Sequence, residues 1–420
     1  MLHFQDFEFN SDAFAQAAIL LKNQQNWPDK QTLQKQNEEA LKRIKSRISF
    51  QGDPFQLVEK DLIATKDFAI NNVIRTEYKQ LEDPAMYNLN LKGKNFRSAI
   101  MFMLSRAIFN NNPQYHKQSS DFENTKYYTQ VKALSACIEI AHNASLLQDD
   151  IIDKADSRRS QLAAHKIFGA SNSVFASDFM ISRASRMLTM VFDTTHISQL
   201  FSTVLYNLVY GELIQAKRDM QKKGQVNQDK FDVEDYFASY ISKTYYKTAS
   251  MISLGCRGLG IVFDLDTDAQ RKLFNFGANL GIAFQIHDDI LDFTQDSEQL
   301  GKPAFNDLKE GIITAPLVYT YIELIRNNYE NLEDFEKMLK RKFQEQGDVP
   351  LAIDLLFKSS GIELADKLSI DYIDQSLINL ESIMIEDPSI NCQRPIINVD
   401  KDQFAQALLG VALKVKTRKY

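Results

Sequence analysis

The chain has 420 residues, 44% hydrophobic and 25% charged, with a formal net charge of −6. That is ordinary for a globular protein of one large domain or two, and the acidic balance argues against general nucleic-acid binding. No apolar run approaches the roughly 18 residues needed to span a bilayer, and Cys137, Cys256 and Cys392 lie far apart with no CxxC pair, which excludes a disulfide framework or zinc site and fits a reducing compartment.

Only 15 glycines and 9 prolines punctuate the chain, so long helices are favoured. The start, MLHFQDFEFNSD, is acidic and lacks the Arg/Ser-rich amphipathic character of an organelle presequence. Residues 1–48 are rich in Gln, Asn and Lys, with an apolar patch at 14–21 and a helical pattern over 32–48. They read as an extension outside the main core. From Asp53, Leu57, Leu62, Ile63, Phe68, Ile70 and Val73 recur at helical spacing. Pro84 breaks the pattern, and a second helix opens at LKGKNFRSAI. Residues 110–127 are polar and read as a loop. Helical patterns follow over 131–153, 173–192, 197–220, 233–259 and 268–293, and again from Thr314 to the end, with a late surface loop at 388–395. No strand pattern of useful length and no tandem repeat is present. The expectation is an all-α domain over 49–420, ten or more helices packed as a bundle around a central cavity.

The stretch ASLLQDDIIDKADSRR places Asp149, Asp150 and Asp153 at i, i+1 and i+4 on a helix that is otherwise apolar. Residues i and i+4 share a face, and like charges there resist desolvation unless a cation neutralises them. One such cluster is often only a solvated acidic face. Asp288, Asp289 and Asp292 in FQIHDDILDF repeat the spacing in a more apolar setting, which makes that reading improbable for the pair. Carboxylates without His or Cys partners select hard cations, and Mg²⁺ suits them when phosphate oxygens complete its octahedron. Cations around a diphosphate make it a good leaving group, and an apolar helical core shields a carbocation from water. Ionisation of an allylic diphosphate is the natural hypothesis.

These motifs together resemble the trans-polyprenyl diphosphate synthases: GKNFR at 93–97, DDIID followed by SRR, KTAS at 247–250, FQIHDDILD at 284–292 and GKPAFNDLKEG at 301–311, in the same order and rough spacing from Asp53 onward. The resemblance implies an isoprenoid-synthase bundle, Mg²⁺ as cofactor, and condensation of isopentenyl diphosphate with an allylic diphosphate into a long-chain product such as the ubiquinone side chain. It also implies Asp149, Asp150, Asp153, Asp288 and Asp289 as metal ligands, with Asp292 behind them. Arg158, Lys247 and Lys302 would contact the allylic diphosphate; Gly93, Lys94, Arg97, His142 and Arg159 would hold isopentenyl diphosphate; Gln285 and Thr248 would support the reaction centre. In this family the departing diphosphate takes the proton, so no separate base is needed. A homodimer or a heteromer of related chains, and a mitochondrial location through the quinone (otherwise cytoplasmic), follow from the same resemblance.

Product length is read from helix geometry. The growing tail would pass Ala144 and Ser145, then Ala141, then Cys137, one to three turns before Asp149. These side chains are small where an aromatic would cap a tunnel. Gln148, Ser160 and Ile312 depart from the residues many relatives carry, which bears on turnover. Taken singly, several of these residues have plain structural readings: Lys94 and Arg97 as surface charge, Lys247 as a solvated helix residue, His142 as a boundary histidine. His165, His287, the cysteines and Trp27 read as structural. The basic end KVKTRKY reads as a solvated helix terminus that could touch an acidic membrane surface. The competing readings are a terpene cyclase or head-to-head condensing enzyme, against which the second diphosphate motif argues, and a non-catalytic subunit of a larger assembly.

Overall fold

The computed structural model describes residues 27–91, 93, 95–159, 161–220, 233–295, 305–387 and 392–417. Two long helices organise it. Helix α5 (Lys126–Ile152) starts at Thr125, whose Oγ1 accepts the Tyr128 amide at 3.3 Å. Helix α10 (Thr267–Thr294) starts at Asp266, whose carboxylate accepts the Ala269 amide at 2.8 Å. Such caps satisfy amides that the first turn leaves orphaned.

In chain order the other helices are α1 (Lys30–Ser46), α2 (Glu59–Ala69), α3 (Lys79–Asn90), α4 (Phe96–Asn110), α6 (Ala170–Val191), α7 (Thr195–Met220), α8 (Val233–Thr244), α9 (Ser250–Val262), α11 (Ala315–Arg326), α12 (Leu332–Arg341), α13 (Asp348–Lys358), α14 (Gly361–Glu381) and α15 (Gln403–Thr417), with shorter turns between. Helix α10 packs on α9 and α14, α5 on α2 and α6, and α4 touches α5, α9 and α15. Close approach explains the α9–α10 seam. A Cβ on Gly281 would stand 2.5 Å from the Ala249 Cα, and one on Gly277 2.7 Å from the Ser253 Cα, so only glycine lets the backbones meet there. The all-α expectation holds, with two small antiparallel hairpins added: Ser157–Arg158 with Gln161–Leu162, and Met384–Asp387 with Cys392–Pro395.

Four expectations need correction. The described part of the N-terminal extension is not outside the core: Leu33, Asn37, Ala40 and Ile44 of α1 are buried at helical spacing, and α1 lies on α14. Helix α3 runs through Pro84 rather than breaking there, with Ala85 and Asn88 buried beside it; packing offsets the one ladder hydrogen bond that proline removes. The polar segment 110–127 forms two 3₁₀ turns, Pro113–Lys117 and Phe122–Asn124, which bury Tyr115 and Phe122 respectively. The late surface loop contains a paired strand, Cys392–Pro395.

Candidate active site

The C-terminal end of α5, the π-helical turn Tyr245–Ala249 leading into α9, the last turns of α10 and the segment before α4 converge on a cavity of about 1290 Å³. π-turns recur at functional sites because the extra residue re-aims side chains. The cavity wall includes Gly93, Arg97, His142, Asp149, Arg158, Arg159, Lys247, Thr248, Gln285 and Asp288. Lys94, Lys302 and Ser160 lie outside the described residues.

At the acidic end each aspartate pair divides. Neighbouring residues on a helix are rotated by about 100°, so the two members of a pair cannot face the same way. Asp149 faces the cavity, and burial, with the adjacent Glu212 adding to it, holds its carboxyl above the ordinary value against the pull of Lys247 and Arg158. Asp150 is 2% exposed and accepts Nε of Arg158 at 2.9 Å together with its Nη2. Asp153 caps α5 and is exposed; partial desolvation, then Asp149, push its carboxyl up, with Glu310 also contributing. In the second cluster Asp288 lines the cavity, whereas Asp289 is buried and accepts from Tyr240 Oη at 2.6 Å and Gln285 Nε2 at 2.9 Å. Its carboxyl is pushed up to about 7 by burial, then by Asp307. Asp292 is fully buried and accepts the Asp307 amide at 3.1 Å.

Asp150 and Asp289, which the resemblance counts among the metal ligands, and Asp292, which it places behind them, have these protein partners in the structure. Asp149 and Asp288 line the cavity, Asp149 also meeting Glu212, and Asp153 is exposed. Among the described residues no three His, Cys, Asp or Glu side chains already form a metal-binding group. The donor set nonetheless fits a hard cation: acceptor-only oxygens, crowded enough that Asp149 and Asp153 resist ionisation.

The other end is cationic. Arg159 has a left-handed backbone, φ +51°, which turns it away from Arg158; its Nη1 donates to the Leu91 carbonyl at 3.1 Å. A Cβ on Gly93 would lie 2.7 Å from that Nη1, so the glycine makes room for the guanidinium. Arg97 Nε is buried without a hydrogen-bond partner among the described residues. Burial, then the charges of Arg97, Arg159 and Arg158, hold His142 neutral, well below its ordinary value. Glu139, which accepts the Ser98 amide and hydroxyl at 3.2 and 3.1 Å, faces these cations. Between the two ends Thr248 Oγ1 donates to Gln285 Oε1 at 2.9 Å, which links the π-turn to Asp289.

The small residues meant to wall a tunnel face elsewhere. Cys137, Ala141 and Ala144 are fully buried on the seam with α6: the Cys137 thiol donates to the Ala184 carbonyl at 3.4 Å and Ser177 Oγ to the Ala144 carbonyl at 3.0 Å. Ser145 Oγ donates back to the His142 carbonyl at 2.8 Å. None of the four lines the cavity; Ala136, Leu146 and Ile252 do. The seam is closed because small side chains on both helices let the backbones approach. The basic end is also tied down in its described part, by Lys414–Asp53 at 2.7 Å and Lys416–Asp366.

Glu212, Tyr240, Asp307 and Glu139 escaped the sequence reading. Asp307 stood inside GKPAFNDLKEG; the others are single polar residues on apolar helices, whose placement only tertiary packing reveals.

The polyprenyl synthetase family model matches residues 78–356. The mitochondrial solanesyl-diphosphate synthase 1 of Oryza sativa subsp. japonica is 32% identical over 361 residues, covering 84% of this chain and 79% of that protein. The human all-trans-polyprenyl-diphosphate synthase is 32% identical over 333 residues, covering 79% and 72%. A Caulobacter crescentus polyprenyl synthase crystallised with calcium and isoprenyl diphosphate superposes with a TM-score of 0.67 over 89% of this chain and 99% of that one, at 23% identity. An Arabidopsis medium/long-chain prenyl pyrophosphate synthase gives 0.60 over 87% and 99%, at 26% identity. With these matches and a cavity acidic at one end and cationic at the other, the chain belongs to the polyprenyl synthetase family and is a long-chain prenyltransferase.

Proposed function

We propose that the protein condenses isopentenyl diphosphate with an allylic diphosphate to build a trans-polyprenyl diphosphate for a quinone side chain, ubiquinone in particular, with Mg²⁺ as cofactor. The carrying observation is the polarity of the cavity: carboxylates and Lys247 at one end, Arg97, Arg159 and neutral His142 at the other, with apolar wall between. Asp149, Asp153 and Asp288 would hold the cation, which supplies charge neutralisation of the leaving diphosphate when bound.

Arg158, fixed by Asp150, and Lys247 then bind the allylic diphosphate. Arg97 and Arg159 bind isopentenyl diphosphate, and His142 contributes a hydrogen bond rather than a charge. Leu146 and Ile252 keep water from the hydrocarbon. Mitochondrial relatives such as the rice enzyme support a mitochondrial site of action, and assembly as a homodimer or with a related chain belongs to the same reading. Purified protein incubated with labelled isopentenyl diphosphate, an allylic primer and Mg²⁺ tests it: extended product is expected, lost on chelation. Folded protein that yields none would instead mark a non-catalytic subunit.

A further inference from the structure

Three consecutive residues of α7 are fitted to the π-turn that carries Lys247. The Tyr210 ring meets Tyr246 edge-on at 4.9 Å. A Cβ on Gly211 would stand 2.9 Å from Lys247 Cγ and 3.2 Å from its backbone nitrogen, so the turn presses onto α7 only because that position is glycine. Glu212 Oε1 then lies 2.7 Å from Lys247 Nζ, with the two side chains 33% and 24% exposed. Several ion pairs, such as Lys358–Asp354, join neighbouring turns of one helix in solvent. This one joins two elements at the cavity wall, beside Asp149.

Two carboxylates stand beside Lys247: Glu212 at 2.7 Å and Asp149, which Glu212 itself meets. If the ammonium closed on Asp149 it would occupy the oxygens offered to the cation. We propose that Glu212 is a positioning residue: it holds Lys247 at the cavity wall, so that the ammonium is delivered to the allylic diphosphate rather than closing on Asp149. This rests on the two-diphosphate reading above and assigns a role within it to a residue that the DDxxD and KTAS motifs do not contain.

The full-length chain carrying Glu212→Ala, Glu212→Gln or Glu212→Asp tests this. Steady-state runs give KM for each substrate and the half-saturating Mg²⁺, and calorimetry with inorganic diphosphate and excess Mg²⁺ reads binding without turnover. Glu212→Ala should raise KM for the allylic primer and weaken diphosphate binding by about tenfold each, and raise half-saturating Mg²⁺ by roughly fivefold, leaving KM for isopentenyl diphosphate within about twofold. Glu212→Asp should recover most of the loss, and Glu212→Gln, isosteric but uncharged, less. Equal changes in both KM values, no change in any, or no rescue by aspartate would each overturn it. Should Glu212→Ala not fold by circular dichroism, the Gln and Asp variants decide by the same criteria. An inactive wild type that still binds diphosphate in a Glu212-dependent way would refute the proposed reaction while sparing this role.

Discussion

Asp149 and Asp150 are adjacent, yet their surroundings assign them different work, and the pair Asp149→Asn and Asp150→Asn separates the two. Asp150 is 2% exposed and holds Arg158, whose side chain is 30% exposed. Removing one partner of a fully buried pair costs about 3–5 kcal/mol. Arg158 can turn partly to water, so the stability loss for Asp150→Asn should be about 1–2 kcal/mol, a fall of a few degrees in Tm. The kinetic loss is that of a misplaced charged donor, about 1.5–3 kcal/mol, or roughly 10- to 100-fold in kcat/KM for the allylic primer. Half-saturating Mg²⁺ should barely move. Asp149→Asn should leave Tm near wild type and raise half-saturating Mg²⁺ by about tenfold or more, because it removes a carboxylate that faces the cavity. Thermal melts and metal titrations of activity read both. If Asp150→Asn shifts the metal dependence as far as Asp149→Asn does, both are ligands and the division of the pair is wrong.

Arg97→Ala removes a buried guanidinium from the cationic end and should raise KM for isopentenyl diphosphate by about tenfold or more, with the allylic KM little changed; a matched rise in both would refute separate subsites. Asp289 binds its proton more tightly folded than unfolded, so its contribution is complete below about pH 4 and lost as pH rises through about 7. Melts of Asp289→Asn should therefore lack a decline in Tm between those values that the wild type shows, and parallel curves would count against a raised carboxyl. Ala144→Phe would fill the closed α5–α6 seam, costing about 1–3 kcal/mol by overpacking, and should leave product length unchanged with the tail passing Leu146 and Ile252; a shortened product ladder would put the tail in the seam after all. Leu33→Ala should cost about 2–5 kcal/mol because Leu33 is fully buried, and an unchanged denaturation midpoint would put α1 outside the cooperative unit.

The long helices were legible because their apolar periodicity is set by burial on one or two faces. The pattern over 268–293 matches α10 within a residue at each end. The N-terminal helix was misjudged for a physical reason. Its polar composition hides a narrow stripe of four buried residues, which suffices to seat it on α14 with lighter contact to α15. In the site, ten of the residues that the motifs singled out line one cavity. What spacing could not show is rotation about the helix axis. DD reads as two ligands in a sequence, but about 100° apart on a helix they meet different surroundings, and Arg158 and Tyr240 claim the second member of each pair. The tunnel expectation meets the same limit: small residues permit either a channel or a close helix contact, and Cys137 and Ala144 make a contact with α6.

Under the proposed reaction two diphosphates of like charge occupy one cavity, and only one of them leaves. The structure gives a reason for the asymmetry. His142 and Asp149 are seven residues apart on α5, about 10 Å along the axis, so the two subsites are close but chemically opposite. A bare diphosphate is repelled from Asp149, Asp153 and Asp288 and enters there only in company with divalent cations, which is the condition that weakens its bond to carbon. At Arg97 and Arg159 a cation is repelled instead, and the anion is held by donors that stabilise it as it is. Arg159's left-handed backbone sends it to that second subsite while Arg158, one residue earlier, stays bound to Asp150. The divergence of these two neighbours at the hairpin would thus sort activation from retention: the substrate whose diphosphate must depart would be drawn to the acidic end, and the substrate whose diphosphate must survive to the basic one.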